Sequence, residues 1–276
     1  MATNNFIPTI WSARLLANLN KALVYGNLVN HDYEGEIKGP GATVTINQVG
    51  DITVSDFDKA KGLADPEQVS TTDMQLIVDQ AKAFNFGVND IDKVQSAVGL
   101  MDAAMQRASY ALADVQDQYI AGFYTGVDAA NTIGSDTTPI VPTKDDAYDH
   151  LVDLGTKLDE ANVPSVGRWV VVPAWYYGLL LKDARFTRNM ATMQTGNTGI
   201  VDSFTVYKSN NVPNTAGAKY KIIAGTNAAI SSAQQITEME AYRPEKNFSD
   251  AIKGLSVYGA KLLQPKGIAV LTANKS

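Results

Sequence analysis

The chain has 276 residues, of which 45% are hydrophobic and 19% charged, which is enough for a packed core in one or two domains. No stretch approaches the roughly 18 to 20 uninterrupted apolar residues of a membrane-spanning helix, and the start, MATNNFIPTIWSARLL, lacks the order of a secretory signal. We therefore expect synthesis in a cytoplasm and no membrane association. The absence of cysteine excludes disulfides, thiolate metal sites and cysteine nucleophiles. The formal net charge of -6 disfavours a dedicated nucleic-acid-binding protein.

The first predicted element is an amphipathic helix over Ile10 to Leu28, which follows a short arm containing Pro8. Its apolar side chains recur at steps of three and four residues, and they are Trp11, Leu15, Leu19, Ala22 and Leu23. The arm has little core of its own, so this apolar stripe has to be buried against something else.

Short runs of alternating polarity between Tyr33 and Val88 predict the strands of a long hairpin. The predicted strands are Thr43 to Val49, Asp51 to Val54, Asp73 to Val78 and Ala83 to Val88. Between them lies the polar excursion SDFDKAKGLADPEQVSTT, from Ser55 to Thr72, which has too few apolar residues to fold onto itself. Excursions of this length are either disordered or functional.

The clearest helix in the sequence runs from about Asp90 to Tyr124, which at roughly 1.5 Å per residue is about 50 Å long. Its apolar residues alternate steps of four and three, and they are Val94, Val98, Met101, Met105, Ala108, Leu112, Val115 and Tyr119. This spacing allows a two-stranded coiled coil. A single helix laid across a sheet is the favoured interpretation, because the stripe mixes small and large residues and the flanking charges are not complementary pairs.

A second unit begins after the Gly- and Pro-containing segment from Val127 to Thr143, which predicts a domain boundary or crossover. A helix, a buried strand and a further helix are predicted next, at 144–161, 168–173 and 174–183, followed by strands at 204–207 and 220–224. The last strands, at 236–242, 255–263 and 268–271, are predicted to form an antiparallel set lying under the long helix.

No constellation of residues with catalytic, metal-binding or cofactor-binding spacing occurs in the sequence. His31 and His150 are the only histidines, and neither has a ligand partner at the spacing of H-E-x-x-H. The sequence also lacks the Gly-x-Ser-x-Gly elbow, the dinucleotide fingerprint and the Walker motif. We therefore predict no catalytic residues, no metal and no cofactor, and a protein that is not an enzyme.

The order of elements and several segments resemble the major capsid proteins of tailed bacteriophages. The similar segments are RWVVVPAWYYGLLLKDARF, SFTVYKSNNVP and YKIIAGTNAAISSAQQITEMEAYRPEKNFSDAIKGLSVYGAKLLQPKGIAVL. The resemblance implies an α+β, phage capsid-type fold, with an N-terminal arm, an extended β-hairpin loop, a long spine helix over an antiparallel sheet, and a mixed α/β axial domain. The implied divisions are an arm and helix at 1–32, the loop hairpin at 33–88, a peripheral domain at 89–142 and 225–276, and an axial domain at 143–224.

On this resemblance the protein is a structural subunit of an icosahedral shell, which self-assembles into hexamers and pentamers. We predict assembly contacts in the amino-terminal segment and in the hairpin excursion, at Phe6, Trp11, Arg14, Asp56, Lys59, Lys61, Asp65 and Glu67. The implied partners are further copies of the chain, a separate scaffolding protein, a portal, a decoration protein and packaged double-stranded DNA bound without sequence specificity. The implied locations are the virion capsid and, during assembly, the host cytoplasm.

Two alternatives remain open at the level of sequence. The same fold could form the shell of a bacterial nanocompartment, which encloses a cargo enzyme instead of DNA. A soluble enzyme with an unrecognised site is the third interpretation, and the missing nucleophile, metal and cofactor patterns count against it.

Overall fold

A computed structural model of the chain describes residues 24–33, 43–49, 52–54, 68, 71–89, 100–187, 199–245 and 249–275. The helices are α1 (Leu100–Ala121), α2 (Ala147–Glu160), α3 (Ala174–Leu180) and α4 (Ala184–Thr187). The strands are β1 (Thr43–Val49), β2 (Thr71–Ile77), β3 (Gln80–Asn89), β4 (Thr132–Ile133), β5 (Arg168–Val172), β6 (Gly199–Val201), β7 (Phe204–Lys208), β8 (Tyr220–Thr226), β9 (Ile230–Tyr242), β10 (Ser249–Leu262) and β11 (Ile268–Ala273).

A six-stranded mixed sheet, in the order β4-β11-β8-β5-β7-β6, forms the larger of two units. Every residue of β5 is buried, because its alternating side chains enter cores on both faces of the sheet. Val170 and Val172 pack with the inward residues of α2 and α3, whereas Trp169 and Val171 join a second core. The predicted mixed α/β character of this unit follows from that two-sided burial.

The smaller unit is a three-stranded antiparallel sheet, β3-β10-β9, with α1 packed against it. Met105 and Leu112 from α1 meet Ile252 from β10 and the half-buried rings of Phe84 and Phe86. The described part of the predicted stripe therefore packs, at Met105 and Leu112, on a sheet of its own chain, as favoured above, whereas Val115 is 39% exposed. Residues 90–99 of the predicted helix lie outside the described residues, and 122–126 form a 3₁₀ helix.

The base of the predicted hairpin is a two-stranded sheet in which β1 pairs with β2 from Thr43↔Ile77 to Val49↔Thr71. Two of the strand predictions need correction. Residues 52–54 form no strand, and the predicted strand Ala83 to Val88 lies within β3, which pairs with β10 instead of extending the hairpin. The chain leaves one sheet and enters the other across only Val78 and Asp79.

Two strands pair in a different sheet from the one expected. Ile268 to Leu271 was expected under the long helix, but β11 pairs with β8 and β4 inside the six-stranded sheet. Strand β4, which lies in the range assigned to the peripheral domain, belongs to the same sheet. All six residues of β11 are buried, which suits a strand flanked on both sides and covered on both faces.

The predicted helix from Ile10 to Leu28 also needs correction at its carboxyl end, and the rest of it lies outside the described residues. A 3₁₀ turn, Gly26–Leu28, replaces the α-helix there, and Val29 is already extended. The change of conformation lets this segment enter a core instead of continuing along a helix axis.

Two neighbouring chain crossings connect the sheets, at residues 227–229 between β8 and β9 and at 263–267 between β10 and β11. The carbonyl of Ala229 accepts hydrogen bonds from the amides of Leu263 at 2.8 Å and Gln264 at 3.2 Å. The crossings are therefore joined to each other where the two units meet.

Candidate assembly surfaces

All eight predicted assembly residues lie outside the described residues, and their placement stays a prediction. They are Phe6, Trp11, Arg14, Asp56, Lys59, Lys61, Asp65 and Glu67. The structure does describe the two places where the segments carrying them join the subunit. These are the base of the hairpin and the segment 24–33.

The hairpin base is seated on the three-stranded sheet. Val44 and Leu76 on its inner face are buried with Val257 of β10 in one apolar cluster. Gly259 lets the backbones approach, because a Cβ at that position would lie 2.3 Å from the carbonyl oxygen of Ile77. The seat therefore depends on a strand position without a side chain.

Asp79 marks the point where the chain passes from the hairpin base to β3. The hydroxyl of Tyr119, on α1, donates to Asp79 Oδ1 at 3.4 Å, and its ring packs edge-on against Tyr258 with centroids 5.5 Å apart. Burial raises the pKa of Tyr258 to about 12, so its phenol stays protonated at neutral pH. The long helix and β10 together hold this corner of the chain.

Beyond the hairpin base that packs on the three-stranded sheet, apolar side chains are exposed to solvent. Ile52 is 66% exposed and Val54 94% exposed, although both directly precede the excursion that begins at Ser55. Ile77 is also exposed, but it pairs with Thr43 at the opposite, seated end of the hairpin base. Exposed apolar residues grouped on one projection are typical of a surface that another molecule covers.

The segment 24–33 is held tightly. Tyr25, Leu28 and Val29 are buried in the core that contains Trp169, and the Tyr25 and Trp169 rings meet edge to face at 6.5 Å. The Asn30 amide donates to the Ile230 carbonyl at 2.9 Å, which fixes the segment beside β9. The carboxyl part of the predicted 1–32 arm is thus integral to the subunit core.

Asp117 is a functional candidate that the sequence reasoning missed. Its Oδ1 accepts hydrogen bonds from the amides of Val24 at 3.0 Å and Tyr25 at 2.7 Å, and its Oδ2 accepts one from Asn211 Nδ2 at 3.0 Å. Burial raises the pKa of the Asp117 carboxyl, and these hydrogen bonds lower it by less. No signal in the sequence separates Asp117 from Asp114, an acid on the same helix that is only half-buried.

Arg168 is a second buried polar group that organises a surface loop. Its side chain is almost fully buried at the start of β5, while Val166, two residues earlier, is 87% exposed. Its guanidinium donates to the carbonyls of Val163 and Pro164, to Ser203 Oγ and to Asp159 Oδ1. The arginine therefore fixes the backbone of a loop that presents an apolar residue to solvent.

The two histidines have structural surroundings. His31 contacts the Gly26 carbonyl at 2.6 Å and Ser232 Oγ at 3.3 Å, and His150 Nδ1 lies 3.8 Å from Asp153 on the same helix. Within the described part of the chain, no group of three acidic or histidine side chains could hold a metal ion. The helices described there include none with the length and hydropathy to cross a membrane.

A family model described as phage capsid protein matches residues 71–271. The chain belongs to this phage capsid protein family. The match includes the second hairpin strand, the long helix, both larger sheets and the paired crossings. Family membership makes the protein a structural subunit of a virion capsid and not an enzyme, in agreement with the prediction from sequence.

Solved structures agree with this assignment. A chain from Mycobacterium phage Che8 is 32% identical to the capsid subunit, with 98% of each chain covered and a TM-score of 0.73. A chain from the capsid of cyanophage P-SCSP1u shares the fold at 15% identity, with 92% of this chain and 89% of that chain covered and a TM-score of 0.68. No curated protein sequence matches the subunit.

The fold extends beyond close relatives. A virus-like particle protein from Pyrococcus furiosus shares it at 14% identity, with 96% of this chain and 98% of that chain covered and a TM-score of 0.61. At that identity the likeness concerns the fold alone. The family match and the Che8 chain favour the phage capsid over the nanocompartment interpretation.

Proposed function

We propose that the capsid subunit builds an icosahedral shell from hexamers and pentamers, which encloses a double-stranded DNA genome. Self-assembly into a capsid shell follows from the family, and the choice of oligomers is our proposal. A closed shell requires each subunit to use the same surfaces around different symmetry axes.

The observation that carries the proposal is the exposure of Ile52 and Val54 on a projection with a fixed base. A free subunit gains nothing from keeping these side chains in water, whereas a neighbouring copy of the chain would remove their apolar area from water. The charged side chains of the excursion from Ser55 to Thr72 would fix how the two chains align at the contact. Each would contribute about 0 to 1 kcal/mol to the binding free energy.

We also propose the roles of the two units. The unit of the six-stranded sheet, including β4 and β11, is the axial domain, and the three-stranded sheet with α1 is the peripheral domain. This division replaces the boundaries at 142 and 225, because strand pairing joins residues 132–133 and 268–273 to the larger sheet.

The remaining partners belong to the proposal as well. A separate scaffolding protein would guide curvature, a portal would occupy one vertex, and a decoration protein would bind the finished surface. Assembly would take place in the host cytoplasm. The net charge of -6 is compatible with a shell that contains DNA without binding its phosphates tightly.

The test replaces residues 55–70, which precede β2, by a short Gly-Ser turn in the full-length protein, because Thr71 and Thr72 already pair with Val49 and Gln48. We expect an unchanged circular dichroism spectrum and no shells by electron microscopy or sedimentation. In the unaltered protein, trypsin should cut near Lys59 or Lys61 faster in free subunits than in shells. Normal shells from the shortened protein, or equal cleavage in both states, would contradict the proposal.

A point variant separates apolar burial from loop length. Val54→Ser should weaken assembly, whereas Thr53→Ser, at the adjacent position, removes far less apolar area and is the matched control. The critical subunit concentration for assembly, read by light scattering, should rise about tenfold for Val54→Ser, as expected from losing about 1 to 2 kcal/mol of apolar burial. Identical values for both variants would show that Val54 stays in water in the shell.

A further inference from the structure

We propose that Asp117 is the positioning residue that fixes how the amino-terminal segment leaves the capsid subunit, and that it couples this segment to the axial unit through Asn211. The inference concerns the junction at residues 24–26. Its consequence for shells rests on the proposed role of residues 1–23 in assembly.

First, different contacts hold different parts of the segment 24–33. Leu28 and Val29 are anchored by apolar burial, and Asn30 by backbone hydrogen bonds to β9. These contacts hold the segment from residue 28 onward. At Val24 and Tyr25, in contrast, the backbone amides bond to the carboxylate of Asp117. The position of the backbone at residues 24 and 25 therefore depends on that carboxylate.

The second step is the link to the other unit. The side-chain amide of Asn211 donates to Asp117 Oδ2 at 3.0 Å, and the backbone amide of Asn211 donates to Ser209 Oγ at 3.1 Å. The next residue, Val212, is buried in the core that also holds Tyr25. One carboxylate on the long helix thus joins backbone at residues 24–25 to a loop after β7, each more than 90 residues away in sequence.

The third step is the cost of the arrangement. Asp117 is 2% exposed, and its neighbours Ala113, Ile120 and Ala121 on the helix are buried apolar residues. Burying this carboxyl group costs desolvation, which its hydrogen bonds with the Val24 and Tyr25 amides and with Asn211 partly offset. A carboxylate is suited to the position because it accepts several hydrogen bonds from different directions at once.

The fold around this junction does not depend on the carboxylate alone. The edge-to-face contact of Tyr25 with Trp169 and the burial of Leu28 do not involve the Asp117 side chain. We expect both to persist in Asp117→Ala. Loss of the carboxylate should therefore loosen the start of the segment without releasing its anchored part. This separation makes the inference testable.

The experiment measures hydrogen exchange in full-length subunits carrying Asp117→Ala, Asp117→Asn or the control Asp114→Ala. Asp114 lies on the same helix, and the hydrogen bond described for its side chain is with Gln118 at 2.8 Å. In Asp117→Ala, exchange at the amides of residues 24–26 should rise about tenfold or more, the loss expected for hydrogen bonds to a charged acceptor. Amides at residues 30 and 232 should keep their rates.

Asp117→Asn provides the rescue that a purely structural role would not predict. Its amide oxygen can still accept from the Val24 and Tyr25 amides, and Asn211 can turn its own oxygen toward the new amide group. We expect exchange at residues 24–26 within about threefold of the unaltered protein. Asp114→Ala should leave these rates unchanged.

The outcomes are distinguishable. Unchanged exchange at 24–26 in Asp117→Ala, or a uniform rise across the core, would overturn the inference, as would an asparagine variant as loose as the alanine variant. A local rise together with normal shells would support the positioning role and overturn the proposed assembly role of residues 1–23. A local rise with malformed shells supports both.

Discussion

Adding one methyl group at Gly259 tests how the hairpin base is seated. An alanine Cβ there would lie 2.3 Å from the Ile77 carbonyl oxygen and 2.9 Å from the Cα of Val78. Ordinary contact begins near 3.4 Å, and both opposing atoms are backbone, so no side-chain rotation can relieve the overlap. Strand β10 and the link after β2 must therefore separate by about 1 Å.

The expected loss of stability is about 1 to 3 kcal/mol, the usual range for overpacking a tight contact. For a chain of this size that corresponds to a fall in melting temperature of about 2 to 10 °C. Urea unfolding of unassembled Gly259→Ala subunits, followed by the fluorescence of buried Trp169, measures the change. Because the distortion falls on the hairpin base, shell assembly should also be impaired at temperatures where the variant is folded.

Gly178→Ala is the matched control. Gly178 lies within α3, and a Cβ there would meet nothing within 4 Å. The same substitution should therefore stabilise the protein by about 0.5 to 1 kcal/mol, because glycine is unfavourable in a helix. Equal unfolding curves for the two variants would refute the argument that backbone contact at Gly259 seats the hairpin.

Three further predictions concern the buried polar groups and the amino-terminal segment. Arg168→Met should destabilise the subunit by about 2 to 4 kcal/mol in urea unfolding, because the Val163 and Pro164 carbonyls, Ser203 and Asp159 lose their hydrogen bonds to a buried guanidinium. Burial raises the pKa of Asp117, so protonation favours the folded state, and the free energy of unfolding should fall relative to Asp117→Asn as pH rises from about 4 through the raised pKa. Deleting residues 1–23 should leave a cooperatively melting subunit that assembles poorly.

Each of these has its own check. Lys157→Met, which removes a solvent-exposed pair with Glu160, should cost only about 0 to 1 kcal/mol, and a loss equal to that of Arg168→Met would contradict the carbonyl argument. A free energy of unfolding of the unaltered protein that rises with pH relative to that of Asp117→Asn would contradict the sign argued above. Loss of the melting transition on deleting 1–23 would place that segment in the core.

The elements that sequence predicted well are those with local signals. The seven-residue alternation of β1 and the four- and three-residue steps of α1 require no knowledge of distant residues; β1 occurs where expected, and α1 (Leu100–Ala121) lies within the predicted range of Asp90 to Tyr124. The buried run at Arg168 to Val172 is equally local. Such patterns state what an element is and which face it buries.

The sequence did not predict which strands pair or which polar side chains are buried. The continuous apolar run Ile268 to Leu271 carries no local sign of its neighbours, β8 and β4, which are set by contacts distant in sequence. Asp117 and Arg168 have the composition of solvated residues, yet their side chains meet partners that only the folded chain brings together. Long-range geometry, which a single sequence does not encode in any local period, decides both.

The joined crossings at Ala229 have a mechanical consequence for a wall built from these subunits. A torque between the two sheets must bend residues 227–229 and 263–267 together, because the amides of Leu263 and Gln264 tie one crossing to the other. A force along the strands acts on these hydrogen bonds in parallel instead of in series. A change of the angle between the two sheets therefore has to deform both crossings at once, even where each sheet keeps its own strand pairing.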